Sequence, residues 1–136
     1  MTRTLQIVAL AAALAAAACS TAPGEQGLRD SFAEQLGANR FVKDFQRNGN
    51  ELTFVGPGPN GGEAKWRVQI ESAMVEANED EAQPYKGTIR SSWFGDGKKI
   101  EPKGAESNLP FELMSNGLAQ EPWAFWNEAA GRWSWE

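Results

Sequence analysis

The residues of this chain that could do chemistry make a short inventory. It has 18 acidic and 13 basic side chains, a single cysteine and no histidine in 136 residues. Without an imidazole, no Ser-His or Cys-His nucleophile can be assembled, and zinc lacks its usual ligands. The GxSxG, SxxK and GxxxxGK[ST] patterns are absent as well. What remains is carboxylate-only chemistry, in which two acids flank a glycosidic bond. Asp30, Glu34, Glu71, Glu76, Asp96, Glu101 and Glu112 qualify by type. Spacing singles out none of them, although Asp30 and Glu34 stand one helical turn apart. The acidic run EANEDEAQP (76–84) lacks the alternating Asp/Asn ligands and the glycine of a calcium loop, so it reads as a solvated connection. No metal and no cofactor is expected.

Binding chemistry is better represented. Four of the six tryptophans fall within PWAFWNEAAGRWSWE, residues 122–136. A buried indole removes 150–250 Å² from water, about 4–6 kcal/mol as an upper bound, so these residues are first of all core material. An exposed indole would serve differently, as a flat platform for a sugar ring or an apolar peptide. Trp123 and Phe125 are the pair expected to point away from the cluster. A second candidate is the GDGKK segment, where Asp96, Lys98 and Lys99 form either a solvated turn or a hairpin tip able to enter a partner's active site as an inhibitor's loop does. A net charge of −5 and the lack of a basic stripe argue against nucleic acid.

These groups need elements to hold them. LRDSFAEQLGANR places Leu28, Phe32 and Leu36 four residues apart with Ala33 beside them, which predicts an amphipathic helix of about three turns with Gly37 as its C-cap. From Phe41 the period becomes two. FVKDFQRNGNELTFVGP is centred on Asn48-Gly49, a strong hairpin signal that would pair Phe45 with Leu52 and set Phe41 and Phe54 on one face. GPGPNGG (56–62) is a loop. AKWRVQIESAMV then alternates Trp66, Val68 and Ile70 with Lys65, Arg67, Gln69 and Glu71, as a strand wet on one side does. Tyr85, Gly87, Ile89, Ser91 and Trp93 share the face of another strand, which turns at Asp96-Gly97 and returns to Ile100. At the C-terminus, Pro122 could open a short helix. Strict alternation in RWSWE favours instead a hairpin whose turn ends at Gly131, with Trp126 facing Trp133 and Ala124 facing Trp135. The expected class is α+β: an N-terminal amphipathic helix packed on a meandering antiparallel sheet of about five to seven strands, ending in a Trp-rich hairpin.

The N-terminus bears on location. MTRT supplies a short positive region, and LQIVALAAALAAAA (5–18) is about 14 residues long, too short to span a bilayer and suited to the apolar stretch of an export signal. Ala16-Ala17-Ala18 before Cys19 meets the small-residue rule for cleavage. This segment resembles the lipobox of bacterial lipoproteins, departing from it in Ala16 where leucine is preferred. The resemblance covers about the first 20 residues and implies that Cys19 is diacylated through sulfur and becomes the first residue of the mature chain. One acyl chain holds a protein weakly and two or three hold it firmly. On the same resemblance, Ser20 after the cysteine, where some inner-membrane lipoproteins have Asp, implies the periplasmic face of the outer membrane. The expected organisation is a signal peptide (1–18), a lipidated cysteine and flexible tether (19–27), and one globular domain (28–136). The expected function is a lipid-anchored envelope protein: a non-catalytic binding or scaffolding module for an envelope glycan or envelope protein. A hydrolase inhibitor and a carboxylate-only glycan hydrolase are the alternatives.

Overall fold

The structure, a computed structural model, describes residues 23–100, Leu113 and residues 122–135. Cys19, the export segment, Glu101 and Glu112 lie outside the described residues. One helix, α1 (Glu25–Gly37), is followed by β1 (Lys43–Asn48), β2 (Glu51–Pro57), β3 (Glu63–Ala77), β4 (Tyr85–Gly95), β5 (Lys98–Ile100), β6 (Trp123–Asn127) and β7 (Arg132–Trp135). The strands form a curled antiparallel sheet in the order β1-β2-β3-β4-β6-β7, and β5 also pairs with β4. The molecule is α+β, mostly sheet with one helix.

The helix begins at Glu25, three residues before the first apolar position of its stripe, and it buries Leu28, Phe32, Ala33 and Leu36. Gly37 is not the left-handed cap that its type suggests. It is the last helical residue, and Ala38 follows with φ −82°. The glycine sits close under Phe45: a Cβ there would stand 3.0 Å from the ring, which would have to shift by a few tenths of an ångström.

The β1–β2 hairpin also differs from its sequence expectation. Its turn is Gly49-Asn50, with Asn48 opposite Glu51 and Arg47, not Phe45, opposite Leu52. Gly49 has φ +62° and Asn50 has no positive φ, the arrangement of a II′ turn rather than the I′ turn that Asn48-Gly49 signals. The register is held from outside the hairpin. Arg47 forms an ion pair with Asp30 on α1 at 2.8 Å and donates from Nε to the Gly49 carbonyl at 2.9 Å. A bulge between Lys43 and Gln46, with Asp44 at φ +53°, then absorbs the extra residue and leaves Phe45 packed against the core.

A second bulge governs the longer strand. β3 alternates as expected from Ala64 to Ile70, but its register with β4 shifts between Ile70 and Ser72. Beyond Glu71 the odd residues turn inward, so Ala73 is buried and Met74 is exposed. The strand also runs on to Ala77, taking in the first two residues of the acidic run.

The inner face of the sheet carries the core. Phe54, Trp66 and Trp93 form an aromatic triad with centroid separations of 5.8–6.4 Å. Trp66 donates its indole N–H to the Pro57 carbonyl at 2.9 Å and Trp93 donates to the Ser91 hydroxyl at 3.0 Å, so both indoles are buried without stranding a donor. Toward the C-terminal hairpin, Phe32 meets Trp135 edge-on at 5.7 Å, and the Trp135 indole N–H donates to the Ser31 hydroxyl of α1 at 3.0 Å. Gly87 on β4 admits this packing, since a Cβ there would lie 2.7 Å from Leu28 and 3.1 Å from Trp133.

Candidate functional site

The C-terminal hairpin has the register that RWSWE implies. Ala124 lies opposite Trp135 and Trp126 opposite Trp133, and Gly131 closes the turn at φ +65°. Trp126 and Trp133 meet edge-to-face at 5.4 Å. That pairing assigns the alternate residues, Trp123 and Phe125, to the outer face of the sheet. Trp123 is 49% exposed, whereas Phe125 is half-buried.

The surroundings of Trp123 come from strands far off in sequence. β6 pairs with β4 so that Thr88 faces Trp123 and Lys86 faces Phe125. β4 pairs with β3 so that Met74 faces Thr88 and Glu76 faces Lys86. Met74, Thr88 and Trp123 therefore form one row across three strands, and Glu76, Lys86 and Phe125 form the next. Met74, at 53% exposure, is the other large apolar side chain exposed among the described residues. The Lys86 ammonium stands 5.1 Å from the Trp123 ring centroid, within cation–π range, while its cross-strand neighbour Glu76 makes no ion pair with it. The surface thus offers an indole, a thioether and a cation within two rows of side chains.

Sequence reading finds Trp123 and Phe125 but misses Met74 and Lys86. The reason for Met74 is the bulge. Simple alternation carried through from Trp66 would place Met74 inside with Ile70, and only the extra residue at Glu71 brings it out beside Trp123. No local signal marks it.

The Asp96-Gly97 turn is present as expected, with Gly95 opposite Lys98 and φ +50° and +82° at its two central residues. Asp96 is tied down on both sides: its backbone N–H donates to the Lys65 carbonyl at 2.8 Å, and its carboxylate accepts the Lys65 N–H at 2.9 Å. Lys98 and Lys99 are exposed. Lys99 lies opposite Phe94, whose ring is covered on the other side by the Arg67 guanidinium at 4.0 Å. A shallow groove of about 540 Å³ opens here, floored by Thr53, Val55, Lys65, Arg67 and Phe94. Between β1 and β3, the Glu63 carboxylate accepts a hydrogen bond from the Lys43 amine at 2.7 Å and raises the pKa of that amine above its ordinary value. The turn is a two-residue tip fastened to β3, with little reach beyond the sheet.

Of the candidate carboxylates, Asp30 and Glu34 line a common cleft on α1. Hydrogen bonds from Gln26 and Arg47 hold the Asp30 carboxyl below its ordinary pKa, the opposite of what a general acid needs. Both acids also project from a single helix face, so neither can attack from the far side of a bond that the other protonates. No group of three or more metal-ligating side chains occurs among the described residues. No helix among them is long and apolar enough to cross a membrane.

No protein-family profile matches this chain, and neither a curated protein nor a solved structure matches it.

Proposed function

We propose that this protein is a lipid-anchored component of the bacterial cell envelope, held at the membrane through acylated Cys19, and that its domain is a non-catalytic binding module. The observation that supports the binding role is the outer-face row of Met74, Thr88 and Trp123, with Lys86 against the indole. Exposed apolar side chains cost solubility and gather where a partner covers them. An indole beside a cation suits a glycan, whose ring face stacks on the aromatic while its polar groups meet the ammonium, and it suits an apolar segment of an envelope protein equally. The periplasmic face of the outer membrane is the location this reading favours.

The test is a pull-down from envelope extract and from purified peptidoglycan, comparing the wild type with Trp123→Ala and Met74→Ser. Both side chains are about half exposed, so the variants are expected to fold. Reduced capture by both supports the platform. Capture equal to wild type by both variants removes it. The inhibitor reading rests on Lys98 and Lys99, and unchanged inhibition of envelope hydrolases by a Lys98→Ser/Lys99→Ser form would leave it without support.

A further inference from the structure

Although the chain carries a net −5, the outer face of its sheet gathers cations. Along β4, Lys86, Thr88, Arg90, Ser92 and Phe94 alternate with the buried Gly87, Ile89, Ser91 and Trp93, so they form one row on that face. β3 sets Arg67 beside Phe94, Gln69 beside Ser92 and Ser72 beside Arg90, and β5 sets Lys99 beside Phe94. Lys65 follows Arg67 on the same side of β3. The resulting stripe holds Lys65, Arg67, Lys86, Arg90 and Lys99, with Glu71 at the bulge and Glu76 beside Lys86 as its acids. At its margins Glu51 approaches Arg67 at 3.7 Å, and the Asp96 carboxylate is taken up by the Lys65 backbone N–H. Acidic side chains collect at the other end of the molecule. Glu79, Asp80 and Glu81 follow β3, and the hairpin turn residue Glu128 donates its N–H to the Ala82 carbonyl of that same loop. The fold builds this stripe from three strands, and no run of the sequence contains it.

Two of these cations are held against aromatic rings. The Arg67 guanidinium lies 4.0 Å from the Phe94 centroid, and the Lys86 ammonium lies 5.1 Å from that of Trp123. Trp123 pairs with Thr88, so the run of β4 from Thr88 to Phe94 separates the two ring–cation pairs by about 20 Å. Between them the floor is short and polar, with Ser72, Gln69 and Ser92 around Arg90. At the Phe94 end the stripe opens into the groove of about 540 Å³. Lys65 and Lys99, both exposed there, make no ion pair among the described residues.

We infer that the outer face is a track for an extended acidic glycan, a carboxylate-bearing polysaccharide strand lying along β4 from Trp123 to Phe94. This assignment rests on the reading of Trp123 as a binding platform and extends it to the far end of the sheet. One ring beside one cation takes a single sugar. Two such pairs about 20 Å apart, joined by a hydrogen-bonding floor, fit a polymer longer than a disaccharide. The cations select carboxylates, and the serine, threonine and glutamine side chains both donate and accept, as sugar hydroxyls require. An apolar peptide finds few apolar partners between the two ends. An anionic bilayer is excluded by where the anchor emerges. Pro23, four residues after Cys19, lines a cleft with Trp126, Gly131 and Arg132, at the acidic end beside Glu128. Four residues reach at most about 14 Å, so the end nearest the membrane is the acidic one and the groove at Phe94 lies at the other.

The test uses the chain from residue 19 onward with Cys19→Ala, which keeps every residue of the expected mature protein except the acylated one. Calorimetric titration compares the hexamer and dimer of galacturonate, the neutral hexamer of N-acetylglucosamine, a single-stranded DNA 20-mer and phosphatidylglycerol vesicles. The acidic hexamer should bind saturably, about tenfold or more tighter than either the acidic dimer or the neutral hexamer, and should weaken as salt is raised. Lys65→Gln/Lys99→Gln removes two exposed cations, so it should keep the urea midpoint of the parent and lose about tenfold or more in hexamer affinity. Trp123→Ala should weaken the hexamer as well. The inference is overturned if the acidic hexamer does not bind, or binds no tighter than the dimer or the neutral hexamer. Tighter binding of the DNA or of the vesicles overturns it too, by naming a nucleic acid or a lipid headgroup instead. The two variants separate this inference from the platform reading. Parental affinity in Lys65→Gln/Lys99→Gln with a loss in Trp123→Ala removes the track and leaves the platform. Parental affinity in Trp123→Ala removes the platform and the track together.

Discussion

Single side chains in this molecule are decided by how much room their neighbours leave. Gly87 is the clearest case, since Leu28 and Trp133 occupy the space that a Cβ would take. Gly87→Ala is expected to destabilise by about 1–3 kcal/mol through overpacking, measured by urea unfolding, and Leu28→Ala in the same background should recover part of that loss. Asp30 offers a test by pH. Its carboxyl is held below its ordinary value of 3.8, by Gln26 and then by Arg47, so the folded state favours the ionised form. The stabilisation is complete above the unfolded-state value and is lost as pH falls through the lowered native one. The difference in urea midpoint between wild type and Asp30→Asn should therefore be present at neutral pH and shrink below about pH 3.9. A difference constant down to pH 2 would show that the Asp30–Arg47 pair contributes nothing through charge. Both groups are partly exposed, so the effect is small.

At the scale of elements, the two bulges set which side chains meet. Both turn a strand with a plain period of two into one whose ends face different ways. Deleting Glu71 removes the extra residue of β3 and would leave Ser72, Ala73 and Met74 opposite Arg90, Ile89 and Thr88 in plain alternation with Ile70, so Ala73 stays inward and Met74 outward. The expected outcome is a folded protein in which Met74 oxidises as readily as in the wild type, and a Met74 protected from oxidation would show that Glu71 is not the extra residue. The C-terminal hairpin depends on one backbone conformation in the same way. Gly131→Ala, at φ +65°, should cost about 1 kcal/mol by urea unfolding, whereas Ala130→Gly in the same turn should cost less than that.

For the whole molecule, the aromatic side chains divide between two jobs. Trp66 and Trp93 lie inside, 2% and 0% exposed, while Trp123 is 49% exposed. Trp66→Ala should cost about 3–5 kcal/mol, and Trp123→Ala less than about 1 kcal/mol by the same thermal or urea measurement. With no disulfide available from a single cysteine, the fold relies on that inner cluster. The proposed anchor belongs to this scale too. Cys19→Ala is expected to move the protein from the membrane fraction to the soluble fraction of its host envelope without altering the unfolding of the domain.

The helix stripe of Leu28, Phe32 and Leu36, the alternation around Trp66 and Ile89, the Asp96-Gly97 turn and the Trp126–Trp133 register were all legible from local sequence, because each follows from a period or a turn residue acting over a few positions. The Gly49-Asn50 turn, the bulges at Asp44 and Glu71, the row of Met74 and Trp123, and the cleft between α1 and β7 were not legible. Each of these depends on residues brought together from distant strands. Arg47 meets Asp30, and Met74 meets Trp123 across Thr88, only after the sheet has closed around its core. Local propensity chooses the elements; side-chain packing between them chooses the register and, with it, the surfaces available for binding.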